Sequence, residues 1–273
     1  MKKLLKNLAL TLLAGSLMLT ACKKEEEAVE PDTKTASQTS ETDAVVNEVV
    51  SITQDVMENE GAGFAGGRTE NCLNINANPL SRSLVLDFGA GCRGLGNRLR
   101  KGKINIVYTG DRKNATQQTV TFDNFGTENY TVSGTLTFSG ITRNTLTSIS
   151  YTISSTNLVI TFSNGRKLTI TSMQRTHVFD YKGTPRDPKD DEVRISGAVT
   201  GMNAESESFT HTITEPYVFK MSCFINGICY PASGKATIKV QNKPEITLNF
   251  GTGACDKTVE VTINGKLVTL TLP

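Results

Sequence analysis

From Cys72 onward, apolar and polar residues alternate with a period of two. Tyr130, Val132, Leu136 and Phe138 share one parity, with Gly134 between them, and Thr131, Ser133, Thr135 and Thr137 take the other. Ile104, Ile106 and Tyr108 repeat the pattern, as do Leu158, Ile160 and Phe162. Strict alternation gives one buried face and one wet face, the mark of antiparallel strands. The wet positions are rich in Thr, whose β-branch suits a pleated, half-exposed surface. Asn164-Gly165 and Asn264-Gly265 each separate two such runs. They predict hairpins, because type I′ turns need positive φ at both central residues. Residues 72–273 are therefore expected to be all-β, a large antiparallel meander of roughly a dozen or more strands. A curved sheet, a sandwich and an open barrel all satisfy this pattern. The polar run Asp187–Glu192, after Gly183-Thr184-Pro185, predicts a break between two halves near 183–192.

Ahead of the sheet the period changes. Val45, Val49, Ile52 and Val56 recur at helical spacing, so a short amphipathic helix is expected over 44–60. Thr42 and Asp43 are its N-cap candidates, and Gly61-Ala62-Gly63 ends it. Such a helix would pack on the domain or cap an open edge, with partner binding as the alternative. Residues 23–43 are rich in Glu, Thr, Ser and Lys and contain no aromatic residue. Too little apolar surface is available there to offset the ordering entropy, which predicts a disordered tether. A tether of that length would hold the domain on the order of 25 Å from its root.

The root is written in the first residues. Lys2, Lys3 and Lys6 precede an apolar run from Leu8 to Leu19, followed by Leu19-Thr20-Ala21-Cys22. This is a secretory signal with a lipobox, so residues 1–21 are expected to be removed and Cys22 lipidated. The run is short of the roughly 20 apolar residues of a spanning helix. The membrane is thus an expected partner through acyl chains on Cys22, each buried methylene contributing about 0.8 kcal/mol. The whole chain carries a net charge of +2, and loss of the three leader lysines leaves −1. Nucleic acid is not an expected partner, since that calls for a clustered basic face.

Five cysteines remain: Cys72, Cys92, Cys223, Cys229 and Cys255. In an oxidising compartment disulfides come before metal or nucleophile readings. An internal echo guides the pairing. Leu84-x-Leu86-Asp87-Phe88-Gly89-Ala90-Gly91-Cys92 resembles Ile246-x-Leu248-Asn249-Phe250-Gly251-Thr252-Gly253-Ala254-Cys255. If each turn cysteine bonds back to an earlier one, the pairs are Cys72–Cys92 and either Cys229–Cys255 or Cys223–Cys255. A Cys223–Cys229 bridge across Asn226-Gly227 competes, and one thiol is left over in each case.

Asp87-Phe-Gly-Ala-Gly-Cys92, Arg100-Lys-Gly-Lys-Ile104 and Val120-Thr-Phe-Asp-Asn-Phe125 resemble a group of uncharacterised Bacteroidota lipoproteins. So do Gly253-Ala-Cys-Asp256 and Thr262-Ile-Asn-Gly-Lys266. The resemblance covers most of 72–273 and implies a β-rich surface lipoprotein with no assigned activity. The extra cysteine of the 223/229 pair departs from that pattern. Lys23-Lys24-Glu25-Glu26-Glu27, straight after Cys22, resembles the export signal of such surface lipoproteins. The expected location is the outer membrane, lipid-anchored at the cell surface, with a periplasm-facing anchor as the alternative.

Catalytic signatures are sparse. Asp87-Phe88-Gly89 lacks the surrounding kinase elements, and neither a Gly-x-Ser-x-Gly elbow nor His-Glu-x-x-His occurs. A Ser–His–Asp hydrolase would need His177 or His211, which sit in strand-like runs and read as sheet-face residues. Asp187, Asp190, Asp191 and Glu192 are weak calcium candidates, since their spacing completes no calcium loop. No cofactor is expected. Carbohydrate binding would have to use Tyr130, Tyr151, Tyr181, Tyr217 or Tyr230, because the chain has no Trp. The leading expectation is a non-catalytic structural or binding β-domain with a protein or glycan partner. The alternatives are an envelope hydrolase whose carboxylates converge only in the fold, and a lipid-handling protein with a sheltered concave face.

Overall fold

A computed structural model describes residues 33–59, 72–94, 98–144, 147–182 and 189–273. Cys22, the leader, Glu60 and Asp187 lie outside the described residues. Helix α1 (Lys34–Asn59) comes first, then β1 (Asn74–Asn78), β2 (Ser83–Asp87), β3 (Cys92–Arg93) and β4 (Leu99–Thr109). β5 (Gln117–Gly126), β6 (Tyr130–Ser133), β7 (Thr135–Asn144), β8 (Ser148–Ser155) and β9 (Leu158–Phe162) follow. The chain continues through β10 (Lys167–Asp180), β11 (Glu192–Met202) and β12 (Ser208–Lys220) to a short helix α2 (Met221–Ile225). It ends with β13 (Ser233–Val240), β14 (Ile246–Thr252), β15 (Thr258–Ile263) and β16 (Lys266–Thr271).

All sixteen strands of the described residues join one antiparallel sheet with β1 and β16 at its ends, an all-β meander behind one N-terminal helix. β6–β7 and β8–β9 are two halves of one long bent hairpin. Pairing runs from Tyr130↔Phe162 through Ser133↔Val159 to Thr137↔Ser154 and Asn144↔Ser148. The bend is at Gly134, whose φ is +107° and where a Cβ would collide with the Asn157 carbonyl. The inward parity survives the bend, so Tyr130, Val132, Leu136 and Phe138 are all buried.

The sheet wraps around α1. At the helix start, Asn203 donates to Thr35 Oγ1 (2.9 Å) and Gln38 donates to Glu205 (3.0 Å), both partners in the β11–β12 turn. Between one and three turns later Asp43 meets Arg175 of β10, and then Glu48 meets Arg100 of β4. At the far end Gln54 bonds Gln118 of β5, Arg112 donates to the Val56 carbonyl, and Glu58 pairs with Arg143 of β7. A helix touched by early and late strands along its length, with Val45, Glu48, Val49, Thr53 and Met57 all buried, is enclosed by the sheet. Of the three expected shapes, the chain adopts an open barrel with the helix as its filling.

This corrects the expected organisation in three places. The helix begins at Lys34, so residues 34–43 of the expected tether are helical, and Thr42 and Asp43 are interior rather than capping. The reason is polar as well as apolar burial. Thr39 and Ser40 hydroxyls bond back to Thr35 and Ala36 carbonyls, and Gln38 accepts from Ala204 N–H while donating to Glu205. Secondly, α1 neither lies on the outside of the domain nor caps an edge. Thirdly, the break near 183–192 does not divide the sheet. β10 and β11 pair continuously across it, from Thr169↔Met202 to Asp180↔Glu192 with one bulge, so both halves belong to one sheet.

The two Asn-Gly turns also differ. Asn264 and Gly265 both take positive φ (51° and 73°), as a type I′ hairpin needs. At Asn164-Gly165 only the glycine does (81°), in a longer loop closed by Phe162 N–H to the Arg166 carbonyl.

Candidate functional site

The interior of the barrel holds two ionic clusters. Glu48 is fully buried and lies on the apolar stripe of α1, between Val45 and Ile52 at helical spacing. A carboxylate there needs partners inside the protein. Arg100 (2.8 Å), Arg98 (3.1 Å) and the Tyr130 hydroxyl (2.8 Å) supply them. Arg98 also donates to the buried Cys229 thiol at 3.2 Å, which ties the start of β4 to the segment after α2. Burial and the nearby Glu48 charge push that thiol up to about 11, so it stays protonated and unreactive.

The second cluster surrounds Asp43. Arg175 donates to its carboxylate (3.2 Å) and to His211 Nδ1 (3.2 Å), and His211 Nε2 lies 3.0 Å from the Tyr217 hydroxyl. A guanidinium has only donors, so His211 accepts at Nδ1 and donates from Nε2. The imidazole is neutral, held well below its ordinary value by burial first and by Arg175 second. His177 stacks on Tyr151, with centroids 5.5 Å apart, and the same two causes bring it down to about 3. Burial raises Asp43 to about 6 against the opposing pull of Arg175. Both histidines lie on a sheet face, the inner one, His177 on β10 and His211 on β12. Each is about 1% exposed, while the Asp43 side chain keeps about 11% of its surface exposed.

Among the described residues a cleft of about 430 Å³ reaches solvent. Its floor is α1 at Ala44 and Val45, with Tyr130, Phe162 and Tyr230 buried around it. One side is the start of β4 with the β5–β6 and β9–β10 turns. The other is formed by Gly227, Tyr230, Lys257 and Pro273 from the last part of the chain. Arg98 (26% exposed), Arg166 and Lys257 bring positive charge to it, and Glu41 and Glu128 negative charge. Arg166 lies over the Phe162 ring at 5.9 Å. Asn129, Ser163 and Asn164 line the rim with exposed polar groups. The arrangement matches a small-molecule site, with an apolar floor and a few placed polar groups.

Cys72 bonds Cys92 and Cys223 bonds Cys255, leaving Cys229 as the free thiol. The internal echo is structural as well. Asp87 Oδ1 accepts from Gly89 N–H and Asn249 Oδ1 from Gly251 N–H, both glycines at positive φ, and each turn leads to its disulfide. Of the calcium candidates, Asp190, Asp191 and Glu192 are described. Glu192 is engaged by Lys182 (2.7 Å) and Arg194 (3.2 Å), and no metal-holding group forms among the described residues. Of the five tyrosines that could serve a sugar, the structure brings Tyr130 and Tyr230 to the cleft and buries Tyr151 and Tyr217 elsewhere.

No protein-family model, curated protein or solved structure matches the chain.

Proposed function

We propose that the protein is a lipoprotein, cleaved before Cys22, anchored by lipid in the outer membrane and displayed at the cell surface, with a non-catalytic binding domain. The lipobox, the charged residues after it and the resemblance to Bacteroidota surface lipoproteins support the location. The observation that carries the binding reading is the cleft. It joins an aromatic floor to a charged rim on a barrel whose interior is already filled by α1. Lipid handling is disfavoured, since the concave face that would shelter an acyl chain packs against the helix instead. Hydrolysis is disfavoured because both histidines lie beneath that packing.

The test is protease shaving of intact cells. Cleavage at Lys23 or Lys24 releases the whole domain, which is expected in the supernatant before lysis. Retention of the domain until the outer membrane is opened overturns the surface location. Cys22→Ser is expected to abolish fatty-acid labelling and free the protein from the membrane fraction. Unchanged labelling overturns the anchor.

A further inference from the structure

We propose that the cleft binds a small acidic saccharide, a sugar ring bearing a carboxylate. The proposal rests on the binding reading above. The lining of the cleft has a buried part and an open part. The buried part is ring and aliphatic surface: Tyr130, Phe162 and Tyr230 beside Ala44 and Val45. The open part is polar and carries three cations, Arg98, Arg166 and Lys257.

Lys257 and Arg166 are placed for a ligand, while Arg98 serves the fold and keeps part of its surface in the cleft. Lys257 is exposed and makes no ion pair among the described residues. Arg166 rests its guanidinium over the Phe162 ring, which positions a planar donor fork at the edge of the aromatic floor. Arg98 shares Glu48 with Arg100, so one buried carboxylate is divided between two guanidiniums while Arg98 remains partly exposed to the cleft. A guanidinium fork suits a carboxylate through two parallel N–H bonds. Glu41 and Glu128 also line the cleft, which confines the anionic group of a ligand to the cations.

The remaining groups identify the body of the ligand. Asn129, Ser163 and Asn164 present amide and hydroxyl groups at the rim. Such groups bond hydroxyls in both directions, while aromatic rings accept the C–H face of a sugar. A volume of about 430 Å³ lies within the range of small-ligand sites. An inorganic anion would use the cations alone and a neutral sugar the polar rim alone, whereas an acidic saccharide uses both.

The experiment uses the lipid-free mature chain with Cys22→Ser. Titrations with digalacturonate, its dimethyl ester and inorganic sulfate are followed by calorimetry and by ¹⁵N amide shifts. The expected result is saturable binding of digalacturonate with shifts at Arg98, Asn129, Arg166 and Lys257. The ester is expected at least tenfold weaker, and Arg166→Gln with Lys257→Gln is expected to weaken digalacturonate at least tenfold. Both positions are exposed, so this variant keeps its fold, which far-UV circular dichroism verifies. Equal affinity for ester and acid overturns the anion assignment and leaves the cleft as a sugar site. Sulfate binding as tightly as digalacturonate overturns the saccharide assignment. Absence of digalacturonate binding overturns the proposal. Saturable binding without shifts at the cleft overturns the cleft as the binding place, while display at the surface is decided separately by shaving.

Discussion

Acid should destabilise this barrel in a defined window, because two histidines are buried neutral beside an arginine. In the unfolded chain each imidazole gains a proton as the pH falls below about 6.5. In the folded state His177 resists until about pH 3, and His211 is likewise held well below its ordinary value. A depressed histidine contributes stability that is present above the unfolded value and is lost as the pH falls below it. At pH 5 the loss is about 2 kcal/mol for each imidazole, roughly 4 kcal/mol for the pair. Asp43 acts in the opposite sense. Its folded value of about 6 lies above its ordinary 3.8, so the folded state takes up a proton first, and stability is gained between those values as the pH falls. By pH 5 that returns about 1 kcal/mol. The net loss from pH 7 to pH 5 is therefore about 2–3 kcal/mol, a large part of the 5–15 kcal/mol typical of a domain. Asp87 and Asp180 have lowered values, so their share is lost only below the carboxylate range. The chain has no Trp, so urea unfolding is best followed by circular dichroism at pH 7, 6 and 5. His177→Phe keeps the stacking on Tyr151 and should remove about half of the histidine loss. Stability that stays level from pH 7 to pH 5, or a variant that retains the full slope, refutes the reasoning.

Other perturbations test the interior. Glu48→Ala removes the buried carboxylate that Arg98, Arg100 and the Tyr130 hydroxyl share, and should cost about 3–5 kcal/mol in urea unfolding, the usual effect of breaking a buried pair. A loss under 1 kcal/mol would show that water reaches these groups. Gly134→Ala places a Cβ against the Asn157 carbonyl at positive φ and should cost at least about 1–3 kcal/mol, seen as a lowered thermal midpoint. Wild-type midpoints in that variant would mean the hairpin is straight there. Cys229 should react with a thiol reagent only as fast as the protein unfolds, because it is buried and protonated. Labelling at the rate of a free thiol in native buffer contradicts its placement. Opening the Cys72–Cys92 bridge with a paired Cys→Ser variant should cost about 3 kcal/mol, since it closes a loop with a sequence separation of 20.

The strands were legible because one face is uniformly apolar. Leu158, Ile160 and Phe162 are buried where alternation puts them, and so are Ile104, Ile106 and Tyr108. What alternation leaves undetermined is what covers the inner face, since a second sheet and a helix bury the same residues equally well. The extent of α1 was obscured for a related reason. Low apolar content over 23–43 predicts disorder, but Thr35, Gln38 and Thr42 are buried with little apolar surface of their own. The site had signals that a hydrophobic count overlooks. Glu48 interrupts an apolar helical stripe, and Arg175 and His177 share the inward parity of Met173. A charge at an inward position implies a buried partner. The pairing of Arg98 with Cys229, a sequence separation of 131, had no such local mark.

The polar character of α1 follows from where it sits. A uniformly apolar helix inside a wrapped sheet could slide or rotate at little cost, because dispersion contacts are nearly interchangeable. Here each stretch has its own wall partner: Gln38 with Glu205, Asp43 with Arg175, Glu48 with Arg100, Gln54 with Gln118 and Glu58 with Arg143. Displacement by one turn would leave several buried charges unpaired at once. The ion pairs thus fix the register of the helix more than they add to stability, the use of buried polar groups best attested elsewhere. The consequence reaches the cleft, whose floor is α1 at Ala44 and Val45, between the Asp43 and Glu48 pairs. The clusters that lock the helix also set the depth of the cleft and hold Arg98 at its side.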